Sequence, residues 1–180
     1  MEKSIDKPHG QVISGRVWKY GDDVNTDLIF PGRYTYILME EQEMAAHGLE
    51  DLDQEFKAHA KPGDLIVAGK NWGCGSAREQ AVKALRARGI GAVIARSFSR
   101  IYFRNALNEG LPVIVCPEAA DAVESGDHME IDLEHHCVCT AKGTFPFKEY
   151  DPYIQNMLAC GGLIPFVRRG LESGEGRENP

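Results

Sequence analysis

Three short apolar runs, at 65–68, 92–95 and 113–116, alternate with two stretches of strong helix formers, 77–88 and 99–108. A glycine closes each helical stretch, Gly89 and Gly110. Runs this short and this apolar suit strands buried on both faces. Strand, helix, strand, helix, strand with a terminal glycine after each helix is the pattern of parallel strands joined by right-handed crossovers. An α/β chain with a βαβαβ parallel core is therefore expected.

The flanks read differently. Residues 11–20 are β-rich, with Gly15 as a bulge or bend. Residues 21–27 are dense in turn formers, and Leu28-Ile29-Phe30 ends at a second turn, Pro31-Gly32. An aromatic, β-prone patch follows at 33–37. From 39 to 60 the chain is acidic, and Met44, Leu49, Leu52 and Phe56 form a thin apolar stripe, which predicts one or two short surface helices, loosely held. Lys61-Pro62-Gly63-Asp64 is a turn. After the core, a short helix from Pro117 leads to a hairpin, 129–133 with 137–139, whose turn carries His135 and His136. A last helix is expected from Asp151 to Cys160, with Pro152 in its first turn and Gly161-Gly162 closing it. The reading is one domain over 11–170 between flexible tails at 1–10 and 171–180.

The formal net charge of −7 opposes nucleic acid and anionic membranes, so attraction of an anionic ligand must be local. No apolar stretch is long enough to span a bilayer and the first ten residues carry no secretory pattern, which predicts a cytoplasmic protein. The cysteines number five, Cys74, Cys116, Cys137, Cys139 and Cys160, with no CxxC pair. Neither a disulfide framework nor a self-contained metal site is expected from them, and the histidines beside Cys137 read as hairpin turn rather than ligands.

One stretch carries chemistry: Lys70-Asn71-Trp72-Gly73-Cys74-Gly75-Ser76-Ala77-Arg78-Glu79-Gln80-Ala81, between the first strand and the first helix of the core. A glycine turn entering a helix gathers free N–H groups and the positive dipole end, a natural anion site. Ser76 could exchange a proton there and Arg78 could clamp a carboxylate bidentately. Ser76-Ala77-Arg78-Glu79 also reads as a capping box, a purely structural role compatible with the first. Two other functions compete: a phosphate-binding module, although neither G-x-G-x-x-G nor the P-loop spacing occurs, and a thiol enzyme using Cys74.

Several motifs occur in a fixed order: Asn25-Thr26-Asp27-Leu28-Ile29-Phe30-Pro31, Lys61-Pro62-Gly63-Asp64, the 69–79 stretch, Ala95-Arg96-Ser97-Phe98-Ser99-Arg100-Ile101, Arg104-Asn105-Ala106, Glu109-Gly110-Leu111-Pro112 and Gly161-Gly162-Leu163. Over about 14–168 the chain resembles the small subunits of 3-isopropylmalate dehydratase, the short form also seen in archaeal homoaconitase, which correspond to the swivelling domain of aconitase.

The resemblance implies a three-layer β/β/α swivel domain and a hydro-lyase active only with a large subunit. That partner would hold a [4Fe–4S] cluster, with no metal or cofactor in this chain. A hydroxy-dicarboxylate would be dehydrated to a cis-alkene and rehydrated at the interface. Ser76 would be the base, and Arg78, Gly75, Ala77 and Asp27 would bind substrate. The segment Tyr34, Thr35, Tyr36, Ile37, with Arg33 just before it, falls where relatives carry their specificity loop and would also line the substrate. Its neutral character suits an alkyl-malate, since an unpaired buried charge costs several kcal/mol. The expected reaction is 2-isopropylmalate to 3-isopropylmalate, as in leucine biosynthesis, with homoaconitase or a methyl- or dimethyl-malate dehydratase as the alternative. The isolated subunit could self-associate. Two residues depart from the usual Ser-Ser-Arg-Glu-His of the group: Ala77 lacks a hydroxyl and Gln80 replaces a histidine.

Overall fold

The computed structural model describes residues 12–173. The tail expected at 1–10 lies outside them, as does all but the first part of the tail expected at 171–180. Among the described residues the strands form one seven-stranded mixed sheet, ordered β4-β3-β2-β1-β5-β6-β7. The parallel half is β1 (Val12–Lys19), β2 (Leu65–Ala68), β3 (Ala92–Ala95) and β4 (Val113–Val115). The antiparallel half is β5 (His128–Asp132), β6 (Cys137–Thr140) and β7 (Gly143–Pro146).

β1 joins the halves. Its first residues pair antiparallel with β5, from Val12 opposite Asp132 to Arg16 opposite His128, and Val17 to Lys19 pair parallel with β2. Pairing passes through Gly15 opposite Met129 without a bulge. The residue is small for another reason: a Cβ there would stand 2.1 Å from the Gly63 carbonyl oxygen. The Lys61-Pro62-Gly63-Asp64 turn is locked to the same strand by buried Asp64, which accepts from the Trp18 indole at 2.8 Å and from the Lys61 N–H at 2.9 Å.

Alternation along β2 to β4 sorts their side chains to two faces. Ile66, Ala68, Val93, Ala95 and Val113 pack with α4 (Gln80–Ala87) and α5 (Arg100–Asn108), the two crossover helices. Leu65, Val67, Ala92, Ile94 and Ile114 pack instead against Met129, Ile131 and Val138 of the antiparallel half, with α6 (Pro117–Ala122) beside them. Helices, parallel strands and antiparallel strands thus stack as β/β/α layers. The outer edge of β4 is partly covered by Tyr150, whose hydroxyl donates to the Val113 carbonyl at 2.7 Å and accepts its N–H at 3.1 Å.

The 39–60 excursion forms α2 (Glu41–His47) and α3 (Gln54–His59), the two short helices expected, but it is not loosely held. Leu49 and Phe56 are completely buried in the core, with Phe56 edge-on to Trp18 at 5.3 Å. α7 (Pro152–Ala159) is capped by the Asp151 carboxylate, which accepts from the Tyr153 N–H. The sequence reading placed no helix after Gly162, yet α8 (Leu163–Ser173) begins there. No helix of the described residues is long and apolar enough to cross a membrane.

Candidate active site

The glycine loop between β2 and α4 is held from two sides. Trp72, fully buried, bridges to Phe98, while Cys74 bridges to Asn25. The Gly73 N–H donates to the Val24 carbonyl at 2.8 Å, and the Thr26 N–H donates to the Cys74 carbonyl at 2.8 Å. Gly73 has φ +73°, and any Cβ there would fall 2.2 Å from the Tyr102 ring. Beside this loop stands α1 (Thr26–Ile29), a single turn capped by Asn25, whose side chain accepts from the N–H groups of Asp27 and Leu28.

Ser76 therefore faces α1 rather than a helix start. The helix begins at Gln80, and its N-cap residue Glu79 makes no side-chain cap bond. The expected capping box does not form and the expected helix over 77–88 loses its first turn, because both of its polar side chains are otherwise engaged. The Ser76 hydroxyl lies 2.8 Å from the Thr26 hydroxyl and accepts from Arg78 Nε at 2.9 Å, and Glu79 pairs with Lys83 at 3.1 Å. The dipole of α4 is correspondingly remote, and the positive charge at Ser76 is Arg78.

Arg78 is the hub. Its side chain is only 17% exposed, and its guanidinium also donates to Thr35 Oγ1 at 2.9 Å and to the Asp27 carboxylate, forming an ion pair. Gly32 leaves room for this arrangement, since a Cβ there would stand 2.6 Å from Asp27 Oδ1 and 2.9 Å from Arg78 Nη1. Gly75 and Ala77 flank Ser76 on exposed backbone, and their N–H groups have no partner among the described residues. They are donors available to an anion.

Of the residues expected at the site, the structure thus gathers Ser76, Arg78, Asp27, Thr35, Gly75 and Ala77. It does not bring the others there. Arg33 sits on the 3-10 turn Gly32–Tyr34 and is drawn away by Asp51, at 2.6 Å, and by Glu50. Tyr34 lies against the His47 ring at 4.1 Å and Phe30 at 5.9 Å, a packing role. Tyr36 is 98% exposed. Sequence reasoning missed Thr26 and Gly32 as parts of the site, although both lie in or beside the Asn25-Thr26-Asp27 motif.

Buried Glu50 shares the hold on Arg33 with Asp51. Burial alone would raise the Glu50 carboxyl, but hydrogen bonds from Lys57 at 2.8 Å and His47 at 2.9 Å bring it down to about 2. Cys74 has no base beside it; its thiol reaches only the Asp23 carbonyl, at 3.5 Å. His135 pairs with Asp132 at 2.8 Å, and no group of three or more His, Cys, Asp or Glu suited to a metal ion occurs among the described residues. A cleft of about 760 Å³ along the outer edge of β4 contains none of the site residues. Ser76 and Arg78 are themselves half-buried, between the exposed residues Gly75, Ala77 and Glu79.

The aconitase C-terminal domain family matches residues 28–119, a span that begins inside α1, after Asp27, and includes the glycine loop. The 3-isopropylmalate dehydratase small subunit of Caldicellulosiruptor bescii is 45% identical over 163 residues, covering 89% of this chain and 98% of that protein. The 3-isopropylmalate dehydratase small subunit 1 of Methanopyrus kandleri is 44% identical over 160 residues, 88% of this chain and 94% of that one. Among solved structures, 3-isopropylmalate dehydratase from Methanocaldococcus jannaschii superposes with a TM-score of 0.84 at 41% identity, covering 92% of this chain and all of that one.

Proposed function

The chain belongs to the family of 3-isopropylmalate dehydratase small subunits, of aconitase type, and from that membership we propose that Ser76 and Arg78 are its half of the active site. The enzyme is a hydro-lyase, and a small subunit implies a large one. The observation that carries the assignment is the half-buried contact of Arg78 Nε with Ser76 Oγ at 2.9 Å, beside the exposed N–H groups of Gly75 and Ala77, which have no partner among the described residues.

On this reading the substrate is 2-isopropylmalate, interconverted with 3-isopropylmalate. One carboxylate is held by Arg78, exchanging with Asp27, and by the N–H groups of Gly75 and Ala77. The Ser76 oxyanion takes the proton from the carbon next to the one bearing the hydroxyl, and the C–O bond breaks, the departing hydroxide taking a second proton from an acid on the large subunit or from solvent to leave as water and an alkene. In the reverse addition Ser76 returns its proton to the carbon that lost the hydroxyl, while water gives the second proton back and its hydroxide adds to the neighbouring carbon, which moves the hydroxyl by one position.

Serine is a poor acid, weaker than tyrosine at about 10. With the α4 dipole displaced, the charge-assisted bond from Arg78 and the exclusion of water by a partner must lower its pKa. The cysteines of this chain do not gather into a cluster site: Cys116 is buried against the Pro146 carbonyl and Cys160 faces Arg169. An iron–sulfur cluster would accordingly belong to the large subunit, where it would supply Lewis-acid activation of the departing hydroxyl.

The alkyl preference is supported by Arg33. With its guanidinium committed to Glu50 and Asp51, the 34–38 segment offers no free cation to a third carboxylate, and Ile37 and Leu38 present apolar surface. Reconstitution with the large subunit tests the proposal. The isolated chain is expected to be inert, the complex active on isopropylmalate, and the S76A complex slower by at least about 10³-fold. An S76A complex with wild-type kcat refutes it.

A further inference from the structure

We infer that Thr26 is a positioning residue that holds the Ser76 oxygen and stabilises it as an anion; this rests on Ser76 being the base. Thr26 is 1% exposed, one of few buried polar side chains, and its hydroxyl touches Ser76 twice. Its oxygen accepts the Ser76 N–H at 3.1 Å, and it lies 2.8 Å from Ser76 Oγ, where either hydroxyl can donate.

The hydrogen-bond inventory gives that second contact its meaning. Arg78 approaches Ser76 Oγ with Nε at 2.9 Å and with its backbone N–H at 3.4 Å, and both can only donate. A neutral Ser76 must send its own proton elsewhere, and Thr26 Oγ1 is the acceptor in reach. Once Ser76 is an oxyanion, the Thr26 hydroxyl turns round and becomes a further donor to it. One side chain thus aims the serine in both protonation states, while its backbone, bonded to Cys74 and Phe30, stays fixed.

Thr26→Val keeps the shape and removes the hydroxyl. In the complete two-subunit enzyme, T26V is expected to lower kcat about 10²-fold, as for loss of one oxyanion donor, with KM within about twofold of wild type. The isotope effect on kcat, with substrate deuterated at the carbon that loses its proton, is expected to rise, because proton abstraction becomes slower than the other steps. T26S, which restores the hydroxyl, is expected to recover kcat to within about threefold of wild type. Thermal unfolding and gel filtration establish that each variant folds and assembles. A T26V complex with wild-type kcat, while S76A is inactive, overturns the inference and leaves the base assignment standing. A T26S complex as impaired as T26V also overturns it, because packing rather than the hydroxyl would then be responsible. An S76A complex of full activity removes the base assignment itself, and the inference with it.

Discussion

Replacing Glu50 by glutamine tests how much a buried carboxylate shared by several segments contributes to stability. Glu50 is 4% exposed and receives Arg33 from the 3-10 turn, His47 from α2 and Lys57 from α3, so three separate segments converge on one charge. Its carboxyl lies at about 2 against 4.5 for a free one, and at ~1.36 kcal/mol per unit that displacement corresponds to about 3 kcal/mol. Two of the partners reach into water, with the Arg33 side chain 52% exposed and Lys57 40%, so screening reduces the loss in E50Q to about 2 kcal/mol. For a chain of this size that lowers Tm by about 4–8 °C at pH 7.

The pH dependence carries the sign. The folded-state value lies below the unfolded one, so the stabilisation is complete above about 4.5 and is lost as pH falls towards about 2. Calorimetry of wild type and E50Q should therefore show a Tm gap that is widest at neutral pH and closes in acid. A gap below about 1 °C at pH 7, or one of constant size down to pH 3, would refute the reasoning. In the assembled enzyme, the E50Q/D51N double variant, which removes both carboxylates that hold Arg33, should improve turnover of a tricarboxylate such as homocitrate relative to isopropylmalate, because a released Arg33 adds a cation beside Thr35.

Other expectations concern single positions. Gly32→Ala should push the ends of Asp27 and Arg78 apart without disturbing the core, raising KM about tenfold, the equivalent of one charge-assisted bond, with Tm nearly unchanged; steady-state kinetics and calorimetry decide. Gly73→Ala meets the Tyr102 ring at 2.2 Å on a φ of +73° and should cost at least ~3 kcal/mol, read as a fall in the denaturation midpoint; a shift of under ~1 kcal/mol would contradict the packing described. Wild-type enzyme should prefer isopropylmalate to homocitrate in kcat/KM, and the opposite preference would end the argument for a neutral pocket.

The parallel core was legible because its signals are local. Four-residue apolar runs at Leu65–Ala68 and Ala92–Ala95, and glycines after both helices, state strand and crossover without reference to anything distant. The hairpin with His135 and His136 at its turn was legible for the same reason. Ser76 and Arg78 could be named from the motif they share. Their partners in space could not, since Thr26 and Ser76 lie 50 residues apart and meet only because the Asn25–Cys74 bridge brings α1 to the loop.

Where sequence and fold parted, a tertiary contact outweighed a local preference. The Ser76–Glu79 capping signal was sound, but Thr26 and the Arg78 side chain hold Ser76 Oγ at 2.8 and 2.9 Å, closer than the Arg78 backbone N–H at 3.4 Å, and the helix starts later. Arg33 adjoins the segment expected to meet substrate, yet Glu50 and Asp51 compete for it with full charges held close. By itself the sequence determined the strands and helices of the parallel core and which side chains can do chemistry, since pattern and residue type act over a few positions. Only the tertiary structure decided which of those side chains face one another, because hydrogen-bond and charge partners are chosen by distance in space, across segments that the chain order keeps apart.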